Sequence, residues 1–388
     1  MTPTSRTLVR VPVWPLFVAV AFAAVALTAL VLIENQKLLG AALAITAAVC
    51  FCAARFGGVA ATEVAASENP WLLRGLITVA SLAVIFVLRD DNFGLLMLAT
   101  VLIYATICLG LTVQMGYAGL TNFAAAAFAG TGGYTAAMLG RQGGLPDALV
   151  LVCGGLVAVF IGSLLILPVL RTRGHYGALT TMAFGVMFNV FLDANDFFGG
   201  PQGLKLPGIN LFGWDFTNDI HIFGLVLSSY VNYVILTGIL TALAMIFVGL
   251  LDRSWVGVWF DVVRLDETAA SVFGLKIAYW KVLAFTIGNF LAGLMGAVYA
   301  KMTGFIAPAN FTFGDSLVMV SIVILGGIGN RWGVLPAALI VVLLPEKLQF
   351  IQEYRLIFYA VLVIAILTMR PDGLVARRVR KLHTEASA

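Results

Sequence analysis

The sequence predicts an all-α membrane protein, a polytopic bundle of about 10–12 spans with short or broken helices. Three observations carry that reading. Residues of the AVILMFWYC set make up 61% of the 388 residues, and charged residues only 11%. A soluble domain carries about 25% charged residues, so this chain has too little charge to coat a surface in water. The apolar residues also fall into runs near the ~20 residues that a helix needs to cross a bilayer. Finally, the basic residues alternate along the chain in the way a membrane topology requires.

The runs lie at 13–33, 38–56, 71–88, 93–113, 117–139, 146–170, 176–192, 222–250, 280–302, 316–329, 333–345 and 355–369. The first is too long for a signal peptide and leads to no soluble domain. The last few are short, which suits half-helices. With the N-terminus in the cytoplasm and strict alternation, sixteen of the 23 Lys and Arg fall inside. Both termini are then cytoplasmic, and the basic tail Arg377–Lys381 anchors at anionic headgroups. Two connections are long. One, about Asp193–His221, faces outward and holds the turn-rich Gly199–Leu204. The other, about Leu251–Trp280, faces the cytoplasm.

A net charge of +4 is too small to imply nucleic acid. Cys50, Cys52, Cys108 and Cys153 all lie in apolar runs and read as small buried hydrophobes. The three histidines, His175, His221 and His383, are far apart. There is no GxxxxGK[ST], HExxH or CxxC. The glycines at 327–333 do not hold the spacing of a dinucleotide loop. These absences argue against an enzyme and against a cofactor in this chain. Within the spans, Lys281 and Lys301 are ionisable, both at the margins of one helix. Proton-driven carriers place ionisable groups at membrane depth, so any driving energy is expected from outside the chain.

The cytoplasmic connection offers a place for that energy to enter. In Arg264-Leu265-Asp266-Glu267-Thr268-Ala269-Ala270-Ser271-Val272-Phe273-Gly274 the two carboxylates suit the positive first turn of a helix. Ala269 and Ala270 are small and favour helix, and Gly274 is a natural stop. A short amphipathic helix between two spans is predicted, either as a solvated connector or as a docking element. Gly130, Gly132 and Gly133 also have two readings. They can let helices pack closely, or break a helix so that freed backbone groups line a path for a zwitterion. Asn122, Tyr134 and Thr181 are candidates for the same path, with interhelical contact as the alternative.

Several motifs, in order, resemble one family. Ala269-Ala270-Ser271-Val272-Phe273-Gly274 looks like the ATPase-coupling loop of bacterial ABC importer permeases. Gly116–Phe123 with Gly130–Ala136, Gly199–Leu204, Leu325–Gly333 and Arg370–Leu374 resemble motifs of LivM-type branched-chain amino acid permeases. The resemblance covers about 93–375. It leaves 1–92 as less diagnostic N-terminal spans, 251–280 as the coupling loop and 376–388 as a basic tail. Where family members often carry a histidine, this chain reads Asn122-Phe123-Ala124-Ala125-Ala126-Ala127-Phe128.

The resemblance implies a bacterial inner-membrane permease subunit that is not itself an enzyme. Its implied partners are a LivH-type second permease, two cytoplasmic ATPase subunits that carry the ATP, an external solute-binding protein, and membrane lipid. Arg264, Asp266 and Glu267 would meet the ATPase, with Ala269, Ala270 and Gly274 allowing close approach. Gly200, Pro201, Gln202 and Gly203 would meet the binding protein. Branched-chain amino acids are the expected cargo. Urea or short amides, and an ion-driven carrier, are the alternatives.

Overall fold

The computed structural model describes residues 13–33, 35–55, 62, 69–171, 176–211, 213–222, 225–348, 354, 357–361, 364, 368 and 373–375. His175, Arg370–Asp372, most of the 355–369 run and the tail Arg377–Lys381 lie outside the described residues. The chain divides into two compact units. One comprises Met1–Leu96 with Ile220–Val231, the other Met97–Asp219 with Asn232–Ala388.

In the first unit, α1 (Trp14–Leu32), α2 (Gln36–Arg55) and α3 (Pro70–Val87) are helical, and α1 packs on α2 and α3. Prolines open α1 and α3, where a missing N–H costs nothing. Asp91 Oδ1 accepts from the Gly94 amide at 3.0 Å and opens α4 (Asn92–Leu111).

The second unit continues α4 and adds α5 (Ala125–Gln142), α6 (Asp147–Arg171), α7 (Tyr176–Ala194) and α8 (Tyr230–Arg253). Next come α9 (Trp255–Leu265), α10 (Glu267–Val272), α11 (Ile277–Thr303), α12 (Phe313–Gly326), α13 (Arg331–Ala338) and α14 (Leu344–Lys347). Short antiparallel ladders join β1 (Leu204–Lys205) to β6 (Phe305–Ile306), β2 (Asn210–Leu211) to β3 (Trp214–Asp215) and, within the first unit, β4 (Ile220–Ile222) to β5 (Leu225–Leu227).

Among the described residues seven helices are long and apolar enough to cross a membrane. The other predicted spans that are described do not combine that length with that apolar composition. α5 is a continuous helix rich in alanine and glycine, and in the 331–347 stretch Pro336, a π-helical turn at Leu339–Leu343 and Pro345 break the run. Two predicted boundaries move. The 117–139 run is helical only from Ala125, because 118–124 is unwound. The 222–250 run is helical only from Tyr230, because 225–227 is paired as a strand and Ser228 Oγ accepts from the Tyr230 amide. The 251–280 connection contains α9, whose buried face is Gly257, Phe260 and Val263.

The core of the second unit is α11, packed on α5 and α6. Small residues bring these backbones together. A Cβ on Gly154 of α6 would stand 3.0 Å from both the Gly132 carbonyl oxygen and the Ala297 methyl. A Cβ on Gly132 would overlap the Gly293 carbonyl, and one on Gly296 the Ala129 carbonyl. In lipid the hydrophobic effect gives no drive for helices to associate. Close van der Waals packing of this kind takes its place.

At one end of the same bundle, Lys301 of α11 is sealed from solvent and pairs with Asp147 of α6 at 2.5 Å. The other oxygen of Asp147 accepts from the Asn210 amide, and Lys301 O accepts from the Tyr233 hydroxyl at 3.4 Å.

Two stability effects follow. Gly132→Ala is expected to cost about 1–3 kcal/mol by overpacking and to lower the melting temperature in detergent. Gly238→Ala, whose Cβ would meet nothing within 4 Å, should be neutral or stabilising in the same assay. Asp147→Asn should cost about 3 kcal/mol by stranding the Lys301 charge. Adding Lys301→Met should recover most of that loss, as thermal unfolding would show.

Candidate functional site

The 251–280 connection folds as two helices rather than one. Asp266 is the N-cap of α10, one residue before its first turn, and accepts from the Thr268 and Ala269 amides at 2.8 and 3.0 Å. That arrangement satisfies two of the donors that a helix start leaves free. The helix stops at Gly274, where the Leu275 amide returns to the Ala270 carbonyl at 3.1 Å. Glu267 lies in the first turn and pairs with Lys281 of α11 at 2.6 Å. Beneath α9, Trp280 is buried and boxed by Trp255, Trp259, Phe260 and Tyr279, with ring centroids at 5.4–6.3 Å.

The exposed face of α10 differs from the expected one. Ala269 and Gly274 are exposed, but Ala270 is fully buried on the side packed against α9 and α11, so it is closed to a partner. Val272 and Phe273 are instead 81% exposed, and Leu265 71%. The signal for them in the sequence was present but weak: two apolar residues just before the helix stop. Arg264 points back into the protein. Its Nε lies 3.7 Å from Asp261 Oδ1, and its aliphatic stem rests on Gly119.

Gly119 belongs to a break in the helical path. After α4 the helix widens into a π-helical turn at Thr112–Tyr117, then unwinds through 118–124. Gly119 has φ +68°, a region closed to most side chains. An unwound segment in a membrane must find partners inside the protein. Here neutral side chains supply them. Gln114 Nε2 donates to the Phe285 carbonyl (3.1 Å) and to Asn289 Oδ1 (3.0 Å), and Gln114 Oε1 accepts from Asn122 Nδ2 (2.8 Å). Asn122 Oδ1 accepts from the Ala124 amide (2.9 Å), Thr181 Oγ1 from Phe123 N (3.1 Å) and Ser316 Oγ from Ala126 N (3.1 Å). Gln114, Asn122, Thr181, Asn289 and Ser316 are all buried.

This arrangement corrects the broken-helix reading of the glycines. Gly130, Gly132 and Gly133 sit inside the unbroken α5, and the break lies before it. Gly130 leaves room for the rings of Phe188 and Phe311, Gly132 meets α11, and Gly133 meets Ile306. Tyr134 is buried beside Phe198, with ring centroids 6.0 Å apart. Asn122 and Thr181 are engaged in holding the break. Gln114 and Ser316, the residues that complete the network, were not singled out in the sequence. Gln114 looked like an ordinary residue at a helix end, and Ser316 one of many hydroxyls.

At the other end of the bundle, Gly200 is buried, Gly203 is half-buried against the Ile306 carbonyl, and Pro201 and Gln202 are exposed. The loop is clasped through the β1–β6 ladder, and Asn189 Nδ2 donates to the Pro308 carbonyl at 2.7 Å. Three of the sequence motifs meet at the α9 end. Gly116 lies against Gly329, Gly373 against Gly327, and the Leu374 amide donates to the Leu325 carbonyl at 2.8 Å.

Residues 93–367 match the family described as the branched-chain amino acid transport system permease component. The chain is 34% identical over 287 residues to the high-affinity branched-chain amino acid transport system permease protein LivM of Escherichia coli K12, covering 70% of this chain and 68% of that protein. The Salmonella typhimurium protein of the same name is equally similar. A probable branched-chain amino acid transport permease protein LivM of Methanocaldococcus jannaschii is 23% identical over 252 residues, covering 59% of this chain and 68% of that protein. No solved structure matches. A multi-helix membrane chain whose ordered motifs meet around a helix break and a two-helix loop, and which matches this family over most of its length, belongs to the branched-chain amino acid transport permease family.

Proposed function

We propose that the chain is the LivM-type membrane subunit of an ATP-driven importer for branched-chain amino acids. Two cytoplasmic ATPases supply the energy, and a LivH-type subunit completes the pathway. An external solute-binding protein delivers the cargo to the end carrying Pro201 and Gln202. The end carrying α9 and α10 is cytoplasmic, and so are both termini. Arg253, Arg264, Lys276, Lys281 and Arg331 cluster in the connections assigned to that side, which accords with the positive-inside bias.

One observation carries the energy-coupling part of this reading. The α9–α10 loop is rigidly clasped, yet presents Leu265, Val272 and Phe273 outward beside Glu267. A solvated connector has no need of two apolar side chains at 81% exposure. Contiguous exposed apolar surface rimmed by polar groups marks a docking face. Phe273 is the anchor and Glu267 the orienting charge. The cargo follows from the relatives, whose names specify branched-chain amino acids. The buried break is lined by neutral polar groups, which suits a net-neutral zwitterion.

Glu267→Lys should abolish uptake while the protein remains in the membrane. Adding Lys281→Glu restores the internal ion pair but not the docking charge, so the double variant should stay inactive. Full recovery would show that Glu267 acts on Lys281 alone. Phe273→Asp should lower co-purification of the ATPase at least about tenfold, as expected for a central anchor. Calorimetry of the cognate binding protein should show tight binding of leucine, isoleucine or valine. Binding of urea or a short amide instead would overturn the cargo.

A further inference from the structure

We propose that Arg264 is a positioning residue of the transport cycle. Its aliphatic stem, and not its charge, transmits movement of the α9–α10 loop to the helix break at 112–124. This rests on the importer reading given above. It differs from the expectation that Arg264 meets the ATPase.

The geometry points to the stem. A Cβ at Gly119 would lie 3.2 Å from Arg264 Cγ and 3.7 Å from both Cα and Cβ, so the base of the side chain lies directly on the break. Gly119 has no side chain to hold the two apart. The side chain of Arg264 is 26% exposed, and its Nε is sealed from solvent. Asp261, one turn earlier on α9, is the charge it faces. Nε faces Asp261 on the same helix at a distance longer than a hydrogen bond, so the ordered contact of this side chain is its stem, and α9 itself packs on the π-helical turn.

The break is the part of the bundle able to respond. The α5–α6–α11 seam is backbone on backbone and has no slack. The break is held by side-chain hydrogen bonds, each of modest net strength, which can exchange as a segment moves. A π-helical turn next to an unwound stretch is a common place for a helix to be adjusted. The Gln114–Asn122–Asn289 chain links that segment to α11, and Thr181 and Ser316 link it to α7 and α12. A displacement at Gly119 therefore reaches three other helices through direct contacts.

The test uses the full complex with its ATPases and binding protein in proteoliposomes, comparing leucine uptake with ATP hydrolysis. Arg264→Ala should cut uptake by about tenfold while hydrolysis and ATPase co-purification stay near wild type. Arg264→Met keeps the stem and loses the charge, and should transport within about twofold of wild type. Gly119→Ala strains the backbone at φ +68° whatever Arg264 does, so Arg264→Met, which keeps the stem, decides the matter if Arg264→Ala fails to accumulate. Arg264→Met as defective as Arg264→Ala would overturn the proposal in favour of a charge contact. Loss of hydrolysis and ATPase binding together would make Arg264 a docking residue, and wild-type uptake in every variant would make the contact idle. A wild-type chain that recruits no ATPase would sink the importer reading instead.

Discussion

Backbone contact among α5, α6 and α11 is the constraint on which the second unit depends. Gly132, Gly154, Gly293 and Gly296 bring these helices to carbonyl distance. In a soluble protein, burial of apolar side chains away from water supplies the drive. In a bilayer the lipid tails are as apolar as the side chains, and packing density decides. A seam this tight cannot slide by small amounts, so motion in this unit has to occur elsewhere.

It is the stretch before α5 that is built differently. Between Thr112 and Ala124 the helical ladder is interrupted, and the displaced backbone groups are met by Asn122, Thr181 and Ser316. Gln114 ties the arrangement to α11 through Asn289 and the Phe285 carbonyl. Every group in this network is neutral. A charged residue at that depth would need a partner or would shift toward neutrality. Neutral amides and hydroxyls satisfy the backbone without that penalty and can exchange partners.

The two ends of the unit are held by different means. One is closed by the buried ion pair of Lys301 with Asp147 and by the short ladder that pins the Gly199–Leu204 loop. The other gathers the glycines of three motifs and the α9–α10 loop around the break. Motifs separated by hundreds of residues therefore pack together in the interior. Their order in the sequence carries the family.

The sequence by itself determined the membrane class, the position of most helices and the family. Those follow from local quantities: apolar run length, the side on which Arg and Lys fall, and ordered glycine motifs. It also determined the short helix α10, because Asp266 and Gly274 act on their own neighbours. Partner choice was left to the tertiary structure. Whether Gly132 packs or breaks a helix depends on Gly293, far along the chain. Whether Ala270 or Phe273 faces outward depends on where α11 lies. That Lys301 is paired depends on Asp147, and that Arg264 turns inward depends on a glycine at 119. Side-chain patterns of period 3.6 say which residues share a face, but only the packed neighbours say what that face meets.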